Sequence, residues 1–265
     1  MAEPVYLIGA ARTDFKRNLR KEGRGLRHVI VEAGHEAIAD AGISPGDVTS
    51  GVVGNFAAGL FTRQLHLGAF LTDVDESLRG IPTLHTEAAC ASGGVAVLTA
   101  AQQVMAGLHD VVLVVGAEQQ KTMAPGEGAE VLGAAADYEA EKPRYGQYMF
   151  PSLFGEVARR YATRYGLTER QLAQVAAKNY AHARMNACAQ MRESRLTLAD
   201  ALGESELQHG EAQGKPDRQC QHAESDAGCE EHPNDGLRSR AERDADADFP
   251  RALPHRQGDD AVQAE

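Results

Sequence analysis

The residues best placed to do chemistry are in His85-Thr-Glu-Ala-Ala-Cys90-Ala-Ser-Gly-Gly94. One thiol lies between a short extended segment, Pro82 to Ala88, and an apolar helix expected from Ser92 to Ala106. A helix N-terminus presents unpaired backbone N–H groups and the positive end of the helix dipole, and both favour an anion. A thiol held there is a candidate nucleophile, because the anionic sulfur is the reactive form. Cys90 is therefore the candidate catalytic residue. His85, five residues earlier, reads as a structural histidine in an extended run rather than a catalytic base. Cys188 reads as structural. Cys220, Cys229, His209, His222 and His232 match no compact zinc-site spacing, so no metal site is expected.

Other motifs are weaker. Gly51-Val-Val-Gly54-Asn-Phe-Ala-Ala-Gly59 lacks the Gly-Lys-Ser/Thr ending of a phosphate loop. It reads as a strand running into a turn, with Asn55 as a possible pocket-facing side chain. Lys16, Arg17, Arg20, Lys21, Arg24 and Arg27 form a basic run broken by one acid, Glu22. A solvated loop is the expected reading, with contact to an anionic ligand the alternative. Met149 and Phe150 are candidates for lining a pocket, with core packing an equal account.

These side chains need a scaffold, and the first 117 residues alternate strand and helix signals. Val5-Tyr-Leu-Ile-Gly9 is expected to be the first strand. Leu26 to Ala41 has apolar residues at helical spacing, and Gly42 is a plausible stop. Gly51–Gly54 is the second strand. Val111-Val-Leu-Val-Val115 is a continuous apolar run, as in a strand buried on both faces. Such alternation points to an α/β layered fold with a mainly parallel sheet. Glu118 to Gly146 shows no clean period and reads as an excursion from the sheet. Helices are expected over Leu153 to Tyr165, ended by Gly166, and from Glu169 to about Met185, with Thr168 as N-cap.

Composition sets the boundaries of function. The chain has 265 residues and a net charge of −11, which argues against a general nucleic-acid footprint. No apolar run reaches the roughly 18 residues of a membrane span. The N-terminus lacks the features of a signal peptide, and four cysteines are too few for a disulfide framework, so a cytoplasmic setting is expected. From Gln208 to Glu265 the chain carries 14 acidic and 7 basic residues. Large aliphatic or aromatic residues there are limited to Leu237, Phe249, Leu253 and Val262. Such a segment buries too little apolar area to offset its ordering entropy, so a disordered tail is expected.

Glu87-Ala-Ala-Cys90-Ala-Ser-Gly-Gly94 resembles the nucleophile motif of the thiolases. Ile8-Gly-Ala-Ala-Arg-Thr13 resembles the family's opening strand and turn. Val111-Val-Leu-Val-Val-Gly-Ala-Glu118 resembles the strand after the nucleophile helix, and Met149-Phe-Pro-Ser-Leu-Phe-Gly155 the later loop domain. Asn186-Ala-Cys-Ala-Gln-Met191 resembles an Asn-Pro-x-Ala-Gln pattern with Ala187 in place of proline. The likeness runs from about residue 5 to 205. It is strongest toward the branch of sterol-carrier-protein-type thiolases and archaeal or actinobacterial acetyl-CoA acetyltransferases.

The resemblance implies a layered αβα N-terminal domain (1–117), an inserted loop domain with the helices after it (118–205), and a tail from 206 to 265. It implies an acyltransferase in which Cys90 carries an acyl thioester between coenzyme A thioesters. Acyl-CoA is then a substrate, no cofactor is permanently bound, and the enzyme is a homodimer or homotetramer. The family also uses Gly-His-Pro and Cys-x-Gly motifs, and this sequence contains neither. The tail is consistent with a shifted reading frame near residues 204–214. The competing reading is a catalytically inactive fragment that binds acyl-CoA or a partner subunit.

Overall fold

A computed structural model describes residues 4–203. Three parallel strands form its sheet, in the order β2-β1-β3: β1 (Ser50–Gly54), β2 (Thr83–Thr86) and β3 (Val112–Gly116). Gly54 is opposite Thr86 on one side and Gly116 on the other, so all three strands end at one edge.

Helices cover both faces. The helix α1 (Leu26–Ala41) covers one face, where Ile30 and Ile38 join Val53, Leu71, Leu113 and Val115 in the larger core cluster. After α2 (Ala58–Phe61), the helix α3 (Ser92–Met105) covers the other. Its small residues Ala96 and Ala100 meet Val52, with Val112 and Val114 packed alongside. The side chains of β3 alternate between the two clusters, which is why its sequence is apolar throughout. This is the α/β layered, parallel-sheet fold expected from the alternating pattern, in the αβα form that the resemblance implies.

Helix α1 ends where anticipated, because Gly42 takes a left-handed conformation (φ 66°) that L side chains resist. Gly166 (φ 70°) ends α6 (Met149–Tyr165) in the same way. Thr168 caps α7 (Glu169–Ala183) by accepting the Gln171 N–H.

Two local expectations need correction. Val5–Gly9 is not a strand: no ladder engages it, and Val5, Tyr6, Leu7 and Ile8 are exposed. This segment instead lies on α1. A Cβ on Gly9 would sit 2.6 Å from the Ala37 carbonyl, and the Ala10 N–H donates to Asp40 Oδ2 at 2.9 Å. The stretch 118–146 is not irregular throughout. It contains α4 (Pro125–Gly133) and α5 (Tyr138–Tyr145), both packed on α6. Three glycines in α4 and Pro143 inside α5 hide the helical period. Tertiary contacts sustain them, including the Lys142–Glu130 ion pair and Met149 against Gly133. A last short turn, α8 (Leu198–Ala201), closes the described chain. The tail, with its expected disorder and its Cys220, Cys229, His209, His222 and His232, lies outside the described residues.

Candidate active site

Cys90 sits in a single 3₁₀ turn, Ala89–Ala91, that joins β2 to α3. Its side chain is exposed. Ala89 has φ +47°, a left-handed conformation that costs a non-glycine residue free energy. Ser92 holds the turn. Its hydroxyl donates to the Ala89 carbonyl at 2.7 Å and accepts the Ala88 N–H at 2.9 Å. The residue is 4% exposed, so these bonds are shielded from water. The Glu87 carboxylate accepts the Ala89 N–H.

The turn lies at the carboxyl edge of the sheet because glycine lets α3 approach. A Cβ on Gly54 would stand 2.6 Å from the Ser92 carbonyl and 3.0 Å from Gly93 Cα. Gly93 and Gly94 themselves have open space where a side chain would go. The steric need for glycine at the start of α3 thus lies on β1. In open parallel sheets, ligands bind at the carboxyl edge.

Asn55 does not face a pocket. It is 2% exposed; its Nδ2 donates to the Ala117 carbonyl at 2.7 Å and its Oδ1 accepts the Ala58 N–H at 2.8 Å. It ties the end of β1 to the end of β3 and starts α2. Glu118, named in the sequence only as the end of a motif and assigned no role there, does similar work: its Oε2 accepts the Phe56 N–H at 3.0 Å. Among the described residues its Oε1 is buried without a hydrogen-bond partner, as is Thr86 Oγ1 at the end of β2.

His85 is exposed on β2 with no hydrogen bond joining it to Cys90. Cys188 is structural in its contacts. Its carbonyl accepts the Phe15 N–H at 3.0 Å, and its Sγ lies 3.9 Å from the Arg12 carbonyl. Beside it, Arg192 grips Asp14 through two bonds, at 2.7 and 2.9 Å. The guanidinium holds the Asp14 carboxyl below the usual carboxylate range.

A cavity of about 850 Å³ opens beside this edge. Arg20, Lys21 and Lys121 stand around it, with Phe61, Met123 and Phe150 among its apolar lining. Cys90 is not one of its lining residues. Phe150 therefore lines a pocket, whereas Met149 is 1% exposed and belongs to the core. Phe61 and Lys121 had carried no signal, since a lone phenylalanine and a lone lysine have no motif to mark them. Among the described residues no group of three His, Cys, Asp or Glu side chains could hold a metal ion, and no helix is long and apolar enough to cross a membrane.

The chain is similar to acetyl-CoA acetyltransferases of two archaea. It is 38% identical to that of Methanothermobacter thermautotrophicus over 186 residues, covering 70% of this chain and 46% of the relative. It is 36% identical to that of Methanocaldococcus jannaschii over 201 residues, covering 76% and 49%. Sterol carrier protein 2 of Gallus gallus is 28% identical over 210 residues, covering 76% of this chain and 37% of that protein. The chain thus spans about half the length, or less, of these relatives. Among solved structures, the Ltp2-ChsH2(DUF35) aldolase superposes with a TM-score of 0.56 at 25% identity, covering 73% of this chain and 47% of that one. The family model described as "Thiolase, N-terminal domain" matches residues 5–197, and the chain accordingly belongs to the thiolase family.

Proposed function

We propose that this protein is a thiolase-type acyltransferase that moves an acyl group between coenzyme A thioesters through Cys90. One observation carries the proposal. Cys90 is an exposed thiol on a turn with a left-handed residue, held by Ser92 at the carboxyl edge of the sheet and the start of α3. In this reading the Cys90 sulfur attacks the thioester carbonyl carbon. A Cys90 Sγ–C bond forms, the C–S bond to coenzyme A breaks, and coenzyme A leaves as its thiol with the proton that Cys90 gave up. The Cys90 backbone N–H is one donor to the oxygen that becomes charged on the way. Residues 1–117 supply the catalytic α/β core and 118–205 the loop domain over the substrate. Coenzyme A is a substrate, not a resident cofactor, and the working form is a cytoplasmic homo-oligomer.

The test is mass spectrometry after incubation with acetyl-CoA, followed by an assay of acetoacetyl-CoA thiolysis. One acetyl group is expected on the Cys90 peptide. Cys90→Ala is expected to lose both adduct and turnover, down to the uncatalysed level. Turnover that survives Cys90→Ala overturns the reading.

A second reading is favoured by one observation: Cys90 has neither His85 nor another cysteine within bonding reach among the described residues. The chain would then be a binding subunit that takes an acyl group, or acyl-CoA itself, and needs a partner for turnover. An adduct without thiolysis favours it.

A further inference from the structure

The two edges of the sheet differ in kind. On one side β2 carries two threonines and a histidine, the composition of a strand that borders water. On the other, β3 is apolar throughout, with α1 on one face and α3 on the opposite one, as in the middle of a sheet. Yet β1 is its one strand neighbour among the described residues. The Ala117 N–H donates to the Gly54 carbonyl, so by the alternation of the strand backbone Leu113 and Val115 also turn toward β1. Val112, Val114 and Gly116 then turn their N–H and C=O groups outward, where no described residue bonds them. Edge strands are normally blunted by charge, proline or a bulge. β3 has neither charge nor proline, and its register with β1 runs unbroken.

The same chain holds a segment with the matching need. Val5-Tyr-Leu-Ile8 has the residue types of a strand but belongs to no helix or ladder, and no described residue hydrogen-bonds its backbone. Tyr6 and Leu7 are 75% and 86% exposed. In a strand, Val5 and Leu7 would face one side and Tyr6 and Ile8 the other, apolar on both, as β3 is. The root of the segment is fixed: Gly9 lies on Ala37 and Ala41, and the Ala10 N–H donates to Asp40, all at the end of α1. No ladder joins the segment to β3 of its own molecule. After residue 203 no two large apolar residues adjoin in the sequence, so the rest of the chain offers no comparable run.

We infer that Val5–Ile8 of one copy adds as a strand to the free edge of β3 in a second copy, and that the second copy does the same in return. A two-fold pair satisfies two edges and two segments at once and leaves none over, so the association closes at two copies. Main-chain hydrogen bonds to Val112, Val114 and Gly116 hold the added strand, and its apolar side chains cover half-buried Val112 and Val114. The inference concerns the sheet edge alone and stands or falls apart from the chemistry of Cys90.

Residue-resolved amide hydrogen exchange of the full chain over a range of concentrations tests this, with analytical ultracentrifugation alongside. The Val112, Val114 and Gly116 amides are expected to be protected at high concentration and to lose protection on dilution, as the copies part. The Leu113 and Val115 amides, bonded to β1, should stay protected throughout and serve as the internal control. Tyr6→Pro with Leu7→Pro removes an N–H from each side of the segment, at positions exposed in the molecule. It should lower protection at Val112, Val114 and Gly116 about tenfold or more and weaken association. The capped peptide Val-Tyr-Leu-Ile-Gly should restore that protection without restoring association. Outward amides that exchange as freely as an unstructured chain at every concentration overturn the inference. So does protection that neither dilution nor the double variant changes, which would put another element on this edge. Should the double variant also lose protection at Leu113 and Val115, the native chain with excess peptide decides: dissociation supports the exchange, and unchanged association overturns it.

Discussion

At the scale of single residues, the turn around Cys90 shows a balance between strain and support. Ala89 at φ +47° carries a cost of about 1–3 kcal/mol, and the two hydrogen bonds of the buried Ser92 hydroxyl offset it. Gly54 allows the whole arrangement, since the atoms facing its missing Cβ are backbone and cannot swing aside. Gly54→Ala is therefore expected to destabilise the chain by about 1–3 kcal/mol in urea unfolding and to slow acylation of Cys90. A variant with unchanged stability and unchanged acylation would show that α3 does not need this approach. The position of Cys90 at the start of α3 was legible in the sequence because a helix start, small residues and a preceding extended run are all local signals. Asn55 and Glu118 were not, because their partners are 62 residues away, Ala117 for Asn55 and Phe56 for Glu118.

At the scale of elements, the segment 188–193 is fastened onto residues 12–16 by Arg192, Cys188 and the Lys16–Glu193 pair. The bond from Arg192 lowers the Asp14 pKa, and that from the Lys16 N–H adds to it. A carboxyl with a folded pKa below its unfolded value stabilises the fold above the unfolded value, about 3.9, and loses this as pH falls through the folded pKa. The melting temperature of Asp14→Asn should thus lie slightly below that of the native chain at pH 6, and the gap should close toward pH 3. A gap independent of pH would show that Asp14 acts through shape alone. Elements with a clear apolar period and a glycine stop, such as α1 and α6, were legible. Helices α4 and α5 were not, because glycine and proline lower their intrinsic propensity and packing against α6 overrides it.

At the scale of the whole molecule, α3 has one face on the sheet and an opposite face turned to solvent. Val97, Leu98 and Met105 are 56%, 57% and 59% exposed there, and Tyr6 and Leu7 lie exposed in the N-terminal segment. Exposed apolar surface of this kind marks an interaction face. The chain is expected to elute from size exclusion as an associated species, and Val97→Lys with Leu98→Glu should shift it toward monomer. A monodisperse monomer of the native chain would oppose this. The sequence by itself determined the layers, the stops of the helices and the placing of Cys90 before α3, since these follow from local period and backbone preference. Only the tertiary structure decided that Val5–Gly9 stays out of the sheet of its own molecule, that Asn55 is spent on the strand ends, and which cations of the basic run stand at the cavity. Ion pairs and sheet ladders depend on which residues meet in space, and a one-dimensional pattern does not carry that information.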